Sequence, residues 1–291
     1  MRVAALLMVG LIASCDTSEH GALHGHLYFA AGKYVGQFDL RDGSSAPVVN
    51  LGDITIDRVG PFIGEDLLLT IREFVSGRET SRILRFNPRR NVSSPLFPGM
   101  MAEYLPSSMT VIYDDGSRLL ATHRKRAYRD EVVIDAHGHN SMPTIVVLSD
   151  AEILFNSVHD DNVLIQRYNV ETDTSHPLHA LSTTCTLNGA VWIAETKQLL
   201  CRLHAVSAKE SGYAFVLLDG TIEKTLPLDE GKNFRALSYL PDQRILILTE
   251  QSDSWGGGQP RHAVWAYDMD TASSYRLAKD QYLGISVVYR P

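Results

Sequence analysis

Apolar and polar residues alternate in short runs along most of this chain, and the runs come in pairs. The stretch His262 to Leu277, HAVWAYDMDTASSYRL, shows the unit: an alternating apolar run, Tyr267-Asp268, a polar turn at Asp270-Thr271 and a second extended run. Period two, turn residues, then period two again predict a β-hairpin. Similar hairpins are expected at Tyr34 to Val48, Ser81 to Leu96, Glu131 to Val146, Asn162 to Leu178 and Gly212 to Leu226. Four of the six close their first strand with an aromatic followed by Asp or Asn: Phe38-Asp39, Phe86-Asn87, Tyr168-Asn169 and Tyr267-Asp268. The aromatic is expected to pack between sheets, and the Asp or Asn to start the turn by bonding its own backbone. The hairpins recur about every 50 residues, with one short step between 131 and 162. A period in this range signals a propeller, a solenoid or an array.

A second kind of hairpin lies between these. Met109 to Ala121, Thr144 to Phe155, Ala190 to Leu203 and Leu237 to Thr249 each read as strand, polar turn, strand, and Ile54 to Leu69 is a looser member. The two kinds together make four antiparallel strands per unit, which is one propeller blade. No stretch has the pattern of a long amphipathic helix. His26 to Ala30 reads as a second strand with no first, and Gly284 to Tyr289 as a first strand with no second. Pairing the two would close the ring and remove its exposed sheet edges. The expected fold is therefore an all-β propeller, most simply of six four-stranded blades. The short step implies one trimmed blade without a full outer strand. Seven blades with one unrecognised, or an open sandwich, are the alternatives. Leu237 to Leu248, with Tyr239-Leu240-Pro241-Asp242 leading into Arg244-Ile245-Leu246, resembles the repeat of TolB-type propellers. That resemblance implies architecture across roughly residues 25 to 290 and carries no role with it.

The first residues break the pattern. Arg2 precedes an apolar run, Val3 to Ile12, and small residues follow it. This order is that of a secretory signal, and the run is about half the ~20 residues that a membrane span needs. Leu11-Ile12-Ala13-Ser14-Cys15 resembles the lipobox of bacterial lipoproteins. The resemblance implies lipidation of Cys15 and a signal peptide over 1–14; residues 15–25 then read as a lipidated tether, and the repeats place the propeller domain over 26–291. Acyl chains anchor because each buried methylene contributes ~0.8 kcal/mol. Asp16 resembles an inner-membrane retention signal in enteric bacteria, so which membrane is left undecided. The implied place is the bacterial cell envelope, facing the periplasm. Cys185 and Cys201 remain, and an exported compartment permits a disulfide between them. Pairing about the turn near Glu195 sets Cys201 opposite residue 191, so a bridge needs a bulge or a curled strand start. Two buried free thiols are the alternative.

The chain carries a net charge of −7 with no basic face, which argues against nucleic acid. In a propeller, the loops joining second to third strands and one blade to the next share a face, and loops on a rigid scaffold are where binding concentrates. The candidates on that face are Arg72, Glu73, His123, Arg124, Lys125, Arg126, Arg129, His159, Asp160, Asp161, His204, Glu250, Asp253 and Trp255. His123 to Arg129 form a basic cluster suited to an acidic group. Trp255 precedes three glycines, a large ring on a loop tip of the kind enriched at binding hot spots. His20, His24 and His26, and His137 and His139, read as turn or tether residues rather than a zinc set.

No catalytic motif can be assembled from spacing. The expected function is a membrane-anchored, monomeric, non-enzymatic binding or scaffold module for another envelope protein or a ligand, without a cofactor. The alternative is a calcium-dependent hydrolase of the lactonase kind. Its channel-mouth site would draw on Glu73, Asp161, Asn188 and Glu250, by analogy of fold.

Overall fold

A computed structural model of the chain describes residues 23–114, 118–123, 130–135, 144–159, 162–204, 212–226, 233–251, 262–281 and 287–291. Its strands fall into six four-stranded antiparallel sheets. The first holds β1 (His26–Ala31), β2 (Tyr34–Asp39) and β3 (Ser45–Asn50), together with one strand from the far end of the chain. The second holds β4 (Thr55–Ile63), β5 (Asp66–Val75), β6 (Arg78–Asn87) and β7 (Val92–Pro98). The third holds β8 (Met101–Leu105), β9 (Thr110–Asp114), β10 (Arg118–His123) and β11 (Asp130–Asp135). The fourth holds β12 (Ile145–Val147), β13 (Glu152–His159), β14 (Asn162–Asn169) and β15 (Thr174–Pro177). A short helix, α1 (His179–Thr184), leads into the fifth: β16 (Cys185–Ile193), β17 (Gln198–Leu203), β18 (Tyr213–Val216) and β19 (Ile222–Thr225). The sixth holds β20 (Asn233–Leu240), β21 (Ile245–Gln251), β22 (His262–Asp268) and β23 (Ser273–Gln281), and the chain then forms β24 (Val287–Arg290).

β24 returns to the first sheet and pairs with β1, Leu27 opposite Tyr289 and Phe29 opposite Val287. The expected closure is therefore present. The first strands β24, β4, β8, β12, β16 and β20 contact one another in that cyclic order and ring a central channel. Six buried apolar clusters fill the spaces between neighbouring sheets. Phe38 and Leu27 of the first sheet pack on Ile247 and Val264 of the sixth, and Phe86 and Leu67 of the second pack on Tyr28 and Val35 of the first. Tyr168 joins the third-to-fourth cluster and Tyr267 the fifth-to-sixth. The repeated aromatic thus packs between sheets, as its position in the repeat predicts. Its acidic or amide neighbour makes the turn: Asp39, Asn87, Asn169 and Asp268 each accept a hydrogen bond from a backbone N–H two or three residues on, at 2.8–3.1 Å.

Three expectations need correction. Met109 to Ala121 supplies second and third strands, β9 and β10, not first and second. The true first strand is β8, which the pattern did not reveal because it is five residues long and carries Glu103 at its centre. This one-strand slip explains the short step. Glu131 to Val146 is not a hairpin: β11 is the outer strand of the third sheet and β12 the inner strand of the fourth. The fourth sheet is not trimmed, since β15 is its outer strand.

The closure has its own polar latch. Tyr289 donates its hydroxyl hydrogen to Asp242 Oδ2 at 2.8 Å, and Gln243 Nε2 donates to Tyr289 at 2.8 Å and to the His24 carbonyl at 2.9 Å. His24 Nε2 lies 3.0 Å from Asp242. The Pro241-Asp242 turn singled out in the sequence therefore ties the sixth sheet to both strands that complete the first. His26 is drawn toward Asp39, at 3.9 Å. His24 thus has a side-chain partner in the latch, and His20, His137 and His139 lie outside the described residues.

Candidate functional site

Two regions have the features of a site: the face carrying the second-to-third connections, and the channel. The face is best described in the second sheet. β5 and β6 are ten residues each and turn at Ser76-Gly77, both at positive φ (52° and 77°). This geometry suits a tight two-residue hairpin. The hairpin displays Phe74, 79% exposed, and Val75, 45% exposed. Tyr34 at the start of β2 and Val163 at the start of β14 are also exposed and stand at the same ends of their sheets. Two other large exposed apolar residues, Val92 and Ile222, start the outer strands β7 and β19 and stand at the opposite ends.

The predicted candidates on this hairpin have local partners. Arg72 forks onto Asp57, Nε to Oδ2 at 2.6 Å and Nη2 to Oδ1 at 2.5 Å, and donates Nη1 to Glu79 at 2.9 Å. Hydrogen bonds to Asp57 and then Glu79 raise its pKa above the ordinary guanidinium value. Glu73 pairs with Arg82 at 3.1 Å. Glu250 accepts a hydrogen bond from the Trp265 indole at 2.9 Å. His204 is exposed, its backbone N–H donating to the Thr184 carbonyl at 3.0 Å. His123 ends β10 and His159 ends β13. Arg124, Lys125, Arg126, Arg129, Asp160, Asp161, Asp253 and Trp255 lie outside the described residues. The strands bracketing the basic segment, β10 and β11, are the third and fourth of their sheet. His123 is therefore at the end of the sheet opposite the expected face, a consequence of the same frame slip.

Cys185 and Cys201 are joined as a disulfide, with Cα atoms 6.0 Å apart. The register of β16 on β17 breaks between Thr186 and Val191. This is the bulge that the spacing of the two cysteines required. Both cysteines are buried in the cluster between the fourth and fifth sheets.

The channel holds what the sequence reading missed. β4 contributes Arg58, β8 contributes Met101 and Glu103, and β20 contributes Arg235. Arg58 Nη2 lies 3.8 Å from Glu103 Oε1, and its Nη1 donates to the Met101 thioether at 3.1 Å. The Glu103 side chain keeps 18% of its exposure, so the channel reaches it, but protein surrounds it on its other sides. This burial pushes the Glu103 carboxyl up to about 7, with Arg58 offsetting part of the rise. Arg58 is held below the ordinary guanidinium value, first by burial and then, against the pull of Glu103, by the charge of Arg235. The available signal was charge inside otherwise apolar first strands: Asp57-Arg58 in TIDRVGPFI, Glu103 in MAEYL and Arg235 in NFRALSYL.

A pH dependence follows. Between its ordinary value of 4.5 and about 7, Glu103 keeps a proton in the folded chain that the unfolded chain has released. Folding stability therefore falls as pH rises through this window and levels off above it. The expected loss is on the order of 2 kcal/mol, reduced from the full shift because the channel admits some solvent. Glu103→Gln should match the parent near pH 5, be more stable at pH 8, and flatten the profile in urea titrations. Parallel profiles for the two proteins would refute the assignment.

No model of a protein family matches the chain, and no curated protein matches it by sequence. Solved structures do. TolB from Acinetobacter baumannii superposes with a TM-score of 0.61 at 11% identity, over 93% of this chain and 67% of that one. A putative TolB from Agrobacterium tumefaciens gives 0.60 at 12% identity, over 93% and 100%. The chain has a TolB-like propeller fold. A puromycin-hydrolyzing peptidase of Mycobacterium tuberculosis shares it at a TM-score of 0.56 and 11% identity, over 90% of this chain and 45% of that one. TolB-like architecture is thus found in this chain and in part of an enzyme, and function must be argued from the site. Among the described residues, no three His, Cys, Asp or Glu side chains gather as a metal site, and no helix is long and apolar enough to cross a membrane.

Proposed function

We propose that this propeller is a non-enzymatic binding or scaffold module of the bacterial cell envelope, held at a membrane through a lipid on Cys15 and engaging another envelope protein by the face of its second-to-third connections. One observation carries the docking face: Phe74, Val75, Tyr34 and Val163 are exposed at the same ends of three sheets, and two of them crown one rigid hairpin. Exposed apolar groups rimmed by charge are a common feature of protein interfaces. Here the rim is Arg72, Glu73, Glu79 and Arg82, already held in place by pairing with one another and with Asp57. Such pairing keeps the hairpin in shape before a partner arrives, which lowers the ordering cost of binding. The lipobox at Cys15 supports the anchor, the signal-like residues 1–14 support export, and the Cys185–Cys201 bridge fits an oxidising compartment. The body acts as a monomer in this reading.

Crosslinking in the native envelope, followed by identification of the attached protein, tests it. Phe74→Ser with Val75→Ser should reduce recovery of that protein at least ~10-fold, as loss of a central apolar anchor does. Arg124→Ala, Arg126→Ala and Trp255→Ala test the rest of the expected surface. Recovery unchanged by the Phe74 and Val75 pair would exclude this hairpin as the anchor. Cys15→Ser should move the chain from the membrane fraction to the soluble one.

A further inference from the structure

The channel cluster has no use in docking at the outer face. Arg58 is a five-donor group whose side chain keeps 32% of its exposure, yet the oxygen nearest among its described contacts is Glu103 Oε1 at 3.8 Å, too long for a hydrogen bond. Its Nη1 rests on a thioether, a weak acceptor. Its Nε is buried with no hydrogen-bond partner. Unsatisfied buried donors are uncommon in folded proteins, and an unseen ion or ligand is one standard reason for them. Arg235 brings a second guanidinium to the same ring of first strands, with only β24 between its strand and that of Arg58. Arg235 Nε lies 3.7 Å from the position that a Cβ on Gly189 of β16 would occupy, so its guanidinium borders that strand. Two guanidiniums against one carboxyl give the cluster a positive balance.

We propose that the channel is a carboxylate-binding site in which the guanidiniums of Arg58 and Arg235 hold the ligand's carboxylate, with Glu103 as its neighbour. A planar two-oxygen group matches the guanidinium fork and satisfies the donors that Arg58 leaves unmet. Glu103 sets the charge that can enter. In its protonated form it donates a hydrogen bond to a carboxylate, and in its ionised form it repels a doubly charged ion such as phosphate more than a singly charged one. The carboxylate has two sources, a free small acid or the C-terminus of a peptide at the channel mouth. This site does not rest on the docking face: the ligand needs neither the hairpin nor the partner protein.

Isothermal titration of the purified full chain tests the proposal, with butyrate, inorganic phosphate, tri-alanine and tri-alanine amide as probes. Butyrate or tri-alanine should bind saturably with one site, and phosphate more weakly. Arg235→Met, at a half-buried position that tolerates a long apolar chain, should weaken binding at least ~10-fold, whereas Glu103→Gln should leave it intact or tighten it. Arg58→Met should match Arg235→Met where it folds, and Arg235→Met decides the matter where it does not. Binding of butyrate alone assigns the site to free acids. Binding of tri-alanine but not its amide assigns it to a peptide terminus. The proposal is overturned by the absence of saturable carboxylate binding, by phosphate binding as tightly, or by unchanged binding in Arg235→Met. None of these outcomes bears on recovery of a protein partner through Phe74 and Val75.

Discussion

Replacing Phe38 with alanine is expected to destabilise the propeller by about 3–5 kcal/mol, the range for removing a fully buried aromatic ring. Phe38 is 0% exposed and closes the third strand of the first sheet. Its ring belongs to the cluster with Leu240, Ile245, Ile247 and Val264 of the sixth sheet, so the cavity would open at the seam where the ring is closed. The neighbours are strands already fixed by their own ladders, which limits how far they can collapse into the space. Equilibrium urea unfolding followed by tryptophan fluorescence measures the loss. Phe38→Leu keeps most of the volume and should cost less than half as much. A loss below about 1 kcal/mol for Phe38→Ala would mean that the seam relaxes freely, against the packing described.

Reducing the Cys185–Cys201 bridge is expected to lower stability by about 3 kcal/mol, because a separation of 16 residues closes a loop whose constraint falls mainly on the unfolded chain. Both cysteines are buried, 1% and 0% exposed, so a reductant acts only when the fifth sheet opens. Reduction should therefore be slow in water and fast near the unfolding midpoint. Urea midpoints with and without reductant, after full equilibration, give the size of the effect. A Cys185→Ala, Cys201→Ala chain should show no response to reductant and should resemble the reduced parent. An unchanged midpoint in the parent would show that the bridge does not form in solution and would remove one support for export.

The hairpins were legible because strands half-buried between layers write a period of two, and because Asp or Asn must start the turns that follow. Phe38-Asp39, Phe86-Asn87, Tyr168-Asn169 and Tyr267-Asp268 each did both jobs, and closure by β24 followed from strands that lacked a partner. The third sheet was misread for a physical reason. Met109 to Ala121 has a faultless strand-turn-strand pattern, whereas the true first strand, MAEYL, has a charge at its centre that points to a loop until a channel is known to receive it. That slip carried the basic segment after His123 to the wrong loop class. The channel cluster was invisible for a related reason. Arg58, Glu103 and Arg235 come from three strands separated by up to 177 positions, and only the closed ring brings them together. Arg72 and Glu73 were placed on the correct face, but their pairing with Asp57, Glu79 and Arg82 makes them the frame around the exposed Phe74 and not its chemistry.

The pairing of β24 with β1 also sets an order of events. The first sheet to leave the ribosome is the last to be finished, because its inner strand is Val287–Arg290. Until those four residues arrive, β1 keeps an open edge, and the Tyr289, Asp242 and Gln243 latch has nothing to hold. Contacts of this sequence separation form late, and an unpaired strand edge recruits other chains in the meantime. A nascent chain of this design is best handled as an unfolded one until β24 has been made and has paired with β1.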